Sequence, residues 1–157
     1  MKRIWAPWRI EYIRSKKPEE CIFCVKPDEE RDAANYILFR GEHNFVILNL
    51  YPYNPGHLMV APYKHTADLS DLTDEELLEH FDLVKKSTRA LIQAYSPHGF
   101  NIGINMGKAA GAGIDDHIHT HVVPRWNGDT NFLTVLSDVK VISHALDATY
   151  KELAGKI

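Results

Sequence analysis

The sequence predicts a single α+β domain, an antiparallel sheet with a long helix packed on it, and three observations carry that prediction. Short apolar segments recur at hairpin-like spacing, one long amphipathic helix falls between strands, and 157 residues suit a single core that needs no disulfide staples. A doubly wound parallel sheet fits this order less well.

Residues 1–35 are rich in proline and charge and carry Cys21 and Cys24, so they read as an irregular arm packed on the domain. Three strands follow, Tyr36 to Arg40, Asn44 to Leu50 and His57 to Ala61. They are separated by Gly41 and by the turn formers Tyr51-Pro52-Tyr53-Asn54-Pro55-Gly56. Thr73-Asp74-Glu75-Glu76 is a capping box, in which a hydroxyl meets the Glu76 amide and a carboxylate reaches back. The acidic run around it marks a helix start favoured by the helix dipole rather than a metal site. Leu77, Phe81, Val84, Thr88, Leu91, Ile92 and Tyr95 then recur at three- and four-residue intervals as a buried stripe, until Ser96-Pro97-His98-Gly99 stops the helix. A strand from Phe100 to Met106, a Gly/Ala loop from Gly107 to Asp116 and a strand from His117 to Val123 follow, the last closed by Pro124. A final helix within 137–157 runs from Ser137 to about Leu153 and buries Val141, Ile142, Ala145, Leu146 and Tyr150.

With 45% hydrophobic and 25% charged residues the composition is that of a globular protein. A net charge of -3 and a pI near 6.3 supply no broad cationic surface, which argues against nucleic-acid or membrane partners. The N-terminus is interrupted by Pro7 and Arg9, unlike a secretory signal, and no stretch is apolar enough to span a bilayer. These features place the protein in the cytoplasm.

The segment His117-Ile118-His119-Thr120-His121-Val122-Val123 is the most informative. Alternate side chains of a strand share a face at roughly 6.6 Å intervals, so three imidazoles line up while Ile118 and Val122 enter the core. A catalytic zinc or a phosphate site both suit such a row, and spacing alone does not separate them. The row spans about 13 Å, which matches a phosphate chain better than one metal ion. A neutral imidazole whose Nδ1–H is held by a carbonyl presents Nε2 for attack on phosphorus, while flanking histidines stabilise oxygens and donate a proton.

Cys21-Ile22-Phe23-Cys24 supplies half of a tetrahedral zinc site. The rival is a thioredoxin-like redox pair, which opens a helix; Pro27 and the charged run after it support that poorly. His43, His80, His98 and His144 have no partner pattern and read as surface or helix histidines. Trp5, Trp8 and Trp126 read as packing residues before base-stacking ones.

The histidine row followed by Pro124-Arg125, with Asn54-Pro55-Gly56-His57-Leu58-Met59-Val60-Ala61-Pro62 upstream, resembles the histidine-triad superfamily over about residues 20–130. The Arg3-Ile4-Trp5-Ala6-Pro7-Trp8-Arg9 arm and Pro124-Arg125-Trp126-Asn127-Gly128-Asp129 resemble the branch that contains diadenosine tetraphosphate phosphorylases. The resemblance implies a nucleotidyl hydrolase or transferase acting on a dinucleoside polyphosphate or related adenine nucleotide through a nucleotidyl-His119 intermediate. His121 and His57 would flank the phosphate. Asn49 would meet ribose, and Asn105 with the loop residues Gly107, Lys108, Gly111 and Gly113 would approach the phosphates. It also implies structural zinc held by Cys21, Cys24, His65 and His117, and a homodimer. A nucleoside phosphoramidase and a zinc-stabilised nucleotide-binding module are the alternatives. Two departures stand out. Ala112-Gly113-Ile114 replaces a Gly-Gln-Ser or Gly-Gln-Thr segment, and Thr120 is polar where the pattern asks for an apolar residue.

Overall fold

A computed structural model describes residues 20–129 and 144–157. Residues 37–40 (β1), 44–48 (β2), 58–62 (β3), 99–104 (β4) and 120–125 (β5) form one antiparallel sheet in the order β1-β2-β3-β5-β4. The α+β class with a long helix packed on an antiparallel sheet is therefore as expected. That helix, α3, spans Asp74–Tyr95, and its capping box is present in full: Glu76 N–H donates to Thr73 Oγ1 while the Glu76 carboxylate accepts from the Thr73 amide.

The stripe that α3 buries is displaced from the expected one. His80, Leu83, Val84, Ser87, Ala90 and Leu91 are buried, whereas Phe81 and Ile92 are about half exposed. His80 can sit in the seam because Asn44 and Thr120 of the sheet below offer it hydrogen-bonding partners. Leu83, Val84 and Leu91 pack with Leu38, Val46, Leu48, Leu58, Val60 and Val122 to make one core layer. Each such side chain contributes about 1.5–3 kcal/mol of burial. The other face of the sheet carries a second layer, Phe23, Ile37, Phe45, Ile47, Met59 and Ala61.

The arm expected to be irregular contains two helices among its described residues, α1 (Ile22–Asp28) and α2 (Asp32–Asn35). Pro27 lies within α1 without breaking it, near the end of a helix of two turns. Residues 1–19, with Trp5 and Trp8, lie outside the described residues, as do residues 130–143 with Val141 and Ile142. The C-terminal helix α4 covers Leu146–Leu153, and Ala145 is its exposed, extended N-cap rather than a buried position. Leu153 is buried, and Leu146 and Tyr150 pack against the first core layer as expected.

The histidine strand also differs from expectation. Ladder pairing begins at Thr120 and runs through Pro124 to Arg125, so His117 and His119 precede the strand and are free of its strict alternation. Pro124 is tolerated because β3 pairs only with Thr120, His121 and Val122, leaving the proline beyond its reach.

Candidate active site and metal cluster

β5 lies between β3 and β4, and the face turned away from α3 brings His121 beside Met59 and Gly103. His119, at the entrance to β5, is buried, and its ring stands 4.8 Å from that of His121 and 4.8 Å from that of Phe23. His119 Nδ1 donates to the carbonyl of His117 at 2.9 Å, so a neutral ring carries its lone pair on Nε2. Burial holds its pKa below the ordinary histidine value, against the opposing effect of that carbonyl.

A second tautomer follows from an unambiguous donor. The Tyr53 amide donates to His57 Nδ1 at 3.1 Å, so the His57 ring carries its hydrogen on Nε2. Nε2 donates to His121 Nδ1 at 3.0 Å, and a neutral His121 must then carry its hydrogen on Nε2. Burial, assisted by the neighbouring His119, pulls the His121 pKa down to about 4, which keeps that ring neutral at pH 7. His57 is almost fully buried behind His121. The flanking histidine expected from sequence thus stands against the His121 ring, its Nε2 on His121 Nδ1. Gly56, which precedes His57, lies tight against α3. Its φ is +79°, and a Cβ there would stand 2.9 Å from Leu91 Cδ2.

Asn49 lies at the end of β2, its Oδ1 accepting from the Tyr51 amide at 2.8 Å and its Nδ2 3.5 Å from His57 Nε2. It is thus brought to the histidine group. Asn105 lines a cleft of about 310 Å³ that His121 also lines. The loop after it turns at Gly107 and Gly111, both with positive φ, and Gly113 is exposed. Ile114 fastens the loop to the second core layer. Lys108 Nζ is 3.5 Å from Asp115.

Cys21, Cys24, His65 and His117 meet at one place, their potential ligand atoms all within 4.8 Å of one another. Cys21 Sγ is 3.3 Å from His117 Nδ1, and Cys24 Sγ is 3.3 Å from His65 Nδ1. The donor set fits a tetrahedral zinc ion, and the surroundings support it: His117 gives its Nε2–H to the Pro62 carbonyl at 2.8 Å, so Nδ1 points a lone pair at the thiols. Burial and then Cys21 push the Cys24 thiol up to about 11, so a bound cation is what would hold it as thiolate. Cys21 does cap a helix, contrary to the reading of Pro27, yet two histidines converging on the pair favour metal over redox chemistry.

Sequence reasoning missed three contributors. Phe23, between the cysteines, is packed on both His117 and His119 at 5.2 and 4.8 Å. His80 is on a helix, as one of its two readings had it, but it is buried and bonded to Asn44 and Thr120. This also explains why Thr120 is polar. The third is a knot around Asp129, which accepts from Arg125 and from Asn54 Nδ2 at 3.0 Å. Trp126 serves packing, its Nε1–H donating to the Tyr95 carbonyl at 3.3 Å.

A scan of protein families matches the HIT domain to residues 30–128. The chain belongs to the HIT family. Among relatives of this HIT protein is AP-4-A phosphorylase of Mycobacterium tuberculosis, 40% identical over 162 aligned positions that cover 98% of this chain and 83% of that one. The asymmetrical bis(5'-nucleosyl)-tetraphosphatase of Schizosaccharomyces pombe is 34% identical, covering 71% of this chain and 58% of that protein. A zinc-bound histidine triad protein from Mycobacterium smegmatis superposes with a TM-score of 0.70 at 31% identity, covering 87% of this chain and 92% of that one. This HIT protein is an enzyme of the nucleotidyl hydrolase and transferase kind. Among the described residues no helix is long and apolar enough to cross a membrane.

Proposed function

We propose that this HIT enzyme cleaves a dinucleoside polyphosphate, of which diadenosine tetraphosphate is the type, by transferring an adenylyl group to His119. The observation that carries the reading is the 2.9 Å bond from His119 Nδ1 to the His117 carbonyl, which fixes the tautomer that attacks. Nε2 forms a bond to the α-phosphorus as the bond to the bridging oxygen breaks, and the departing nucleoside polyphosphate takes the electron pair. His121, with Nε2–H directed outward by His57, donates to the phosphate oxygens on which charge builds. Water or inorganic phosphate then displaces His119, yielding AMP or ADP and restoring the imidazole. Asn49 in contact with ribose, and Asn105 with the Gly107, Gly111 and Gly113 loop near the phosphates, complete the binding side of this reading. Lys108 contributes only after leaving Asp115.

Cys21, Cys24, His65 and His117 would hold zinc as a closed four-ligand site, leaving no position for substrate, so its contribution is structural. The two named relatives support the dinucleotide substrate. The test incubates the enzyme with diadenosine tetraphosphate, with and without phosphate, and resolves the products by chromatography. ADP and ATP that require phosphate indicate a phosphorylase, and AMP and ATP without it a hydrolase. Activity that survives His119→Ala overturns the nucleophile.

A further inference from the structure

The cleft beside His121 has a distinct chemistry at its far end. Its walls include the alternate β5 residues His121, Val123 and Arg125, the neighbouring β4 residues Asn101, Ile102 and Gly103, and Asn54 and Asn105 from the loops. Tyr53 stands at its rim, 55% exposed. Among the described residues that line it none is acidic, and Arg125 alone carries a full positive charge.

Arg125 is held in a specific attitude. Its Nε and Nη2 donate to the two oxygens of Asp129, the second at 2.9 Å, and Nη1 donates to Asn101 Oδ1 at 2.6 Å. The Asp129 side chain is 9% exposed and the Arg125 side chain 40%, so the carboxylate lies behind and the guanidinium in front. Asp129 is fixed in turn by Asn54 and the Trp126 amide. A clamp between β5 and the turn needs only the Asp129 contacts. The additional reach to Asn101, on the cleft wall, leaves two of the five guanidinium N–H groups, one on each Nη, for a further acceptor.

We propose that this cleft is the subsite for the distal part of a polyphosphate chain, and that Arg125 is the specificity-determining residue that binds it. The enzyme then selects a dinucleoside polyphosphate over a mononucleotide with a small leaving group. Four residue steps along β5 separate His121 from Arg125 by about 13 Å, beyond the reach of a single phosphate beside His119. A chain of several phosphates leading to a second nucleoside spans that distance, with Tyr53 offering an aromatic face at the rim. The inference rests on the reading of His119 as a nucleotidyl acceptor.

The test compares kcat/KM for diadenosine tetraphosphate with kcat/KM for adenosine 5'-phosphoramidate, in the wild-type enzyme and in Arg125→Gln combined with Asp129→Asn. The paired change avoids leaving a buried carboxylate without its cation. The ratio of dinucleotide to phosphoramidate is expected to fall roughly tenfold to a hundredfold, the size of a lost hydrogen bond to a charged group. Arg125→Lys, which keeps the charge and a partner for Asp129 but loses the guanidinium, lowers the same ratio by a smaller factor and serves should the double variant not fold. An unchanged ratio in both variants overturns the inference. So does a wild-type enzyme that turns over phosphoramidate but not the dinucleotide, and that result leaves the role of His119 standing. Failure of the wild-type enzyme to form an adenylyl-His119 adduct with either compound, read by mass spectrometry, overturns the underlying reading instead.

Discussion

Thr120 gives its hydroxyl hydrogen to Nε2 of His80 across 2.6 Å, on the opposite side of the sheet from the histidines that flank it in sequence. The direction of this bond is determined. Asn44 Nδ2 is engaged by the Glu76 carbonyl and by Glu79, so Asn44 Oδ1 receives the His80 Nδ1 hydrogen at 2.8 Å, and only Nε2 is left to accept. Glu79 anchors the chain by also accepting the amides of Glu42, His43 and Asn44.

Thr120→Val strands that buried lone pair and is expected to cost about 1–3 kcal/mol in urea unfolding. Thr120→Val combined with His80→Leu should cost less than the sum of the two single changes, because the second removes the group the first left unsatisfied. Strict additivity would show that the two residues are not coupled.

The same histidine gives the fold a pH dependence. Burial lowers its pKa from 6.5 to about 4, so between those values the unfolded chain takes up a proton that the folded protein refuses. Its contribution is therefore complete above about pH 6.5 and is lost as pH falls towards 4, amounting to roughly 3 kcal/mol. His80→Gln should flatten the stability profile across that window. Parallel profiles for the two proteins would refute the assignment.

His57→Phe keeps a ring in place and removes both nitrogens. His121 then loses the donor that fixes its tautomer, and kcat for diadenosine tetraphosphate should drop roughly tenfold to a hundredfold, as for other supporting hydrogen bonds. KM should change far less. A loss confined to KM would mean that His57 meets substrate after all.

Cys21→Ser should release zinc, measured by atomic emission, and lower the melting temperature, since metal binding energy is folding energy in such a site. A strong chelator should do the same to the unaltered enzyme. Unchanged metal content and melting in the variant would remove the cluster from consideration as a zinc site.

How much of this was legible in sequence depends on how local each signal is. The capping box of Thr73 and Glu76 needs only neighbours in the chain, and it is present as read. The stripe of α3 was misplaced because periodicity weighs Phe81 and Ile92 as core residues, while His80 and Ser87 sit in the seam instead. Nothing along the helix reveals that Asn44 and Thr120 await His80 across the sheet. The meeting of Cys21, Cys24, His65 and His117 came from family likeness, since no spacing rule joins residues so far apart. Arg125 and Asp129 were visible as a motif, but their attitude in the cleft is a property of the sheet register.

His117 takes part in two structures at once. Its imidazole closes the cysteine cluster, while its carbonyl holds the Nδ1 hydrogen of His119. Phe23 adds a third tie, wedged between the cysteines in sequence and against both rings in space. A shift of the backbone at position 117 is therefore felt in both places, at the cysteine knuckle through the ring and at the reactive imidazole through the carbonyl.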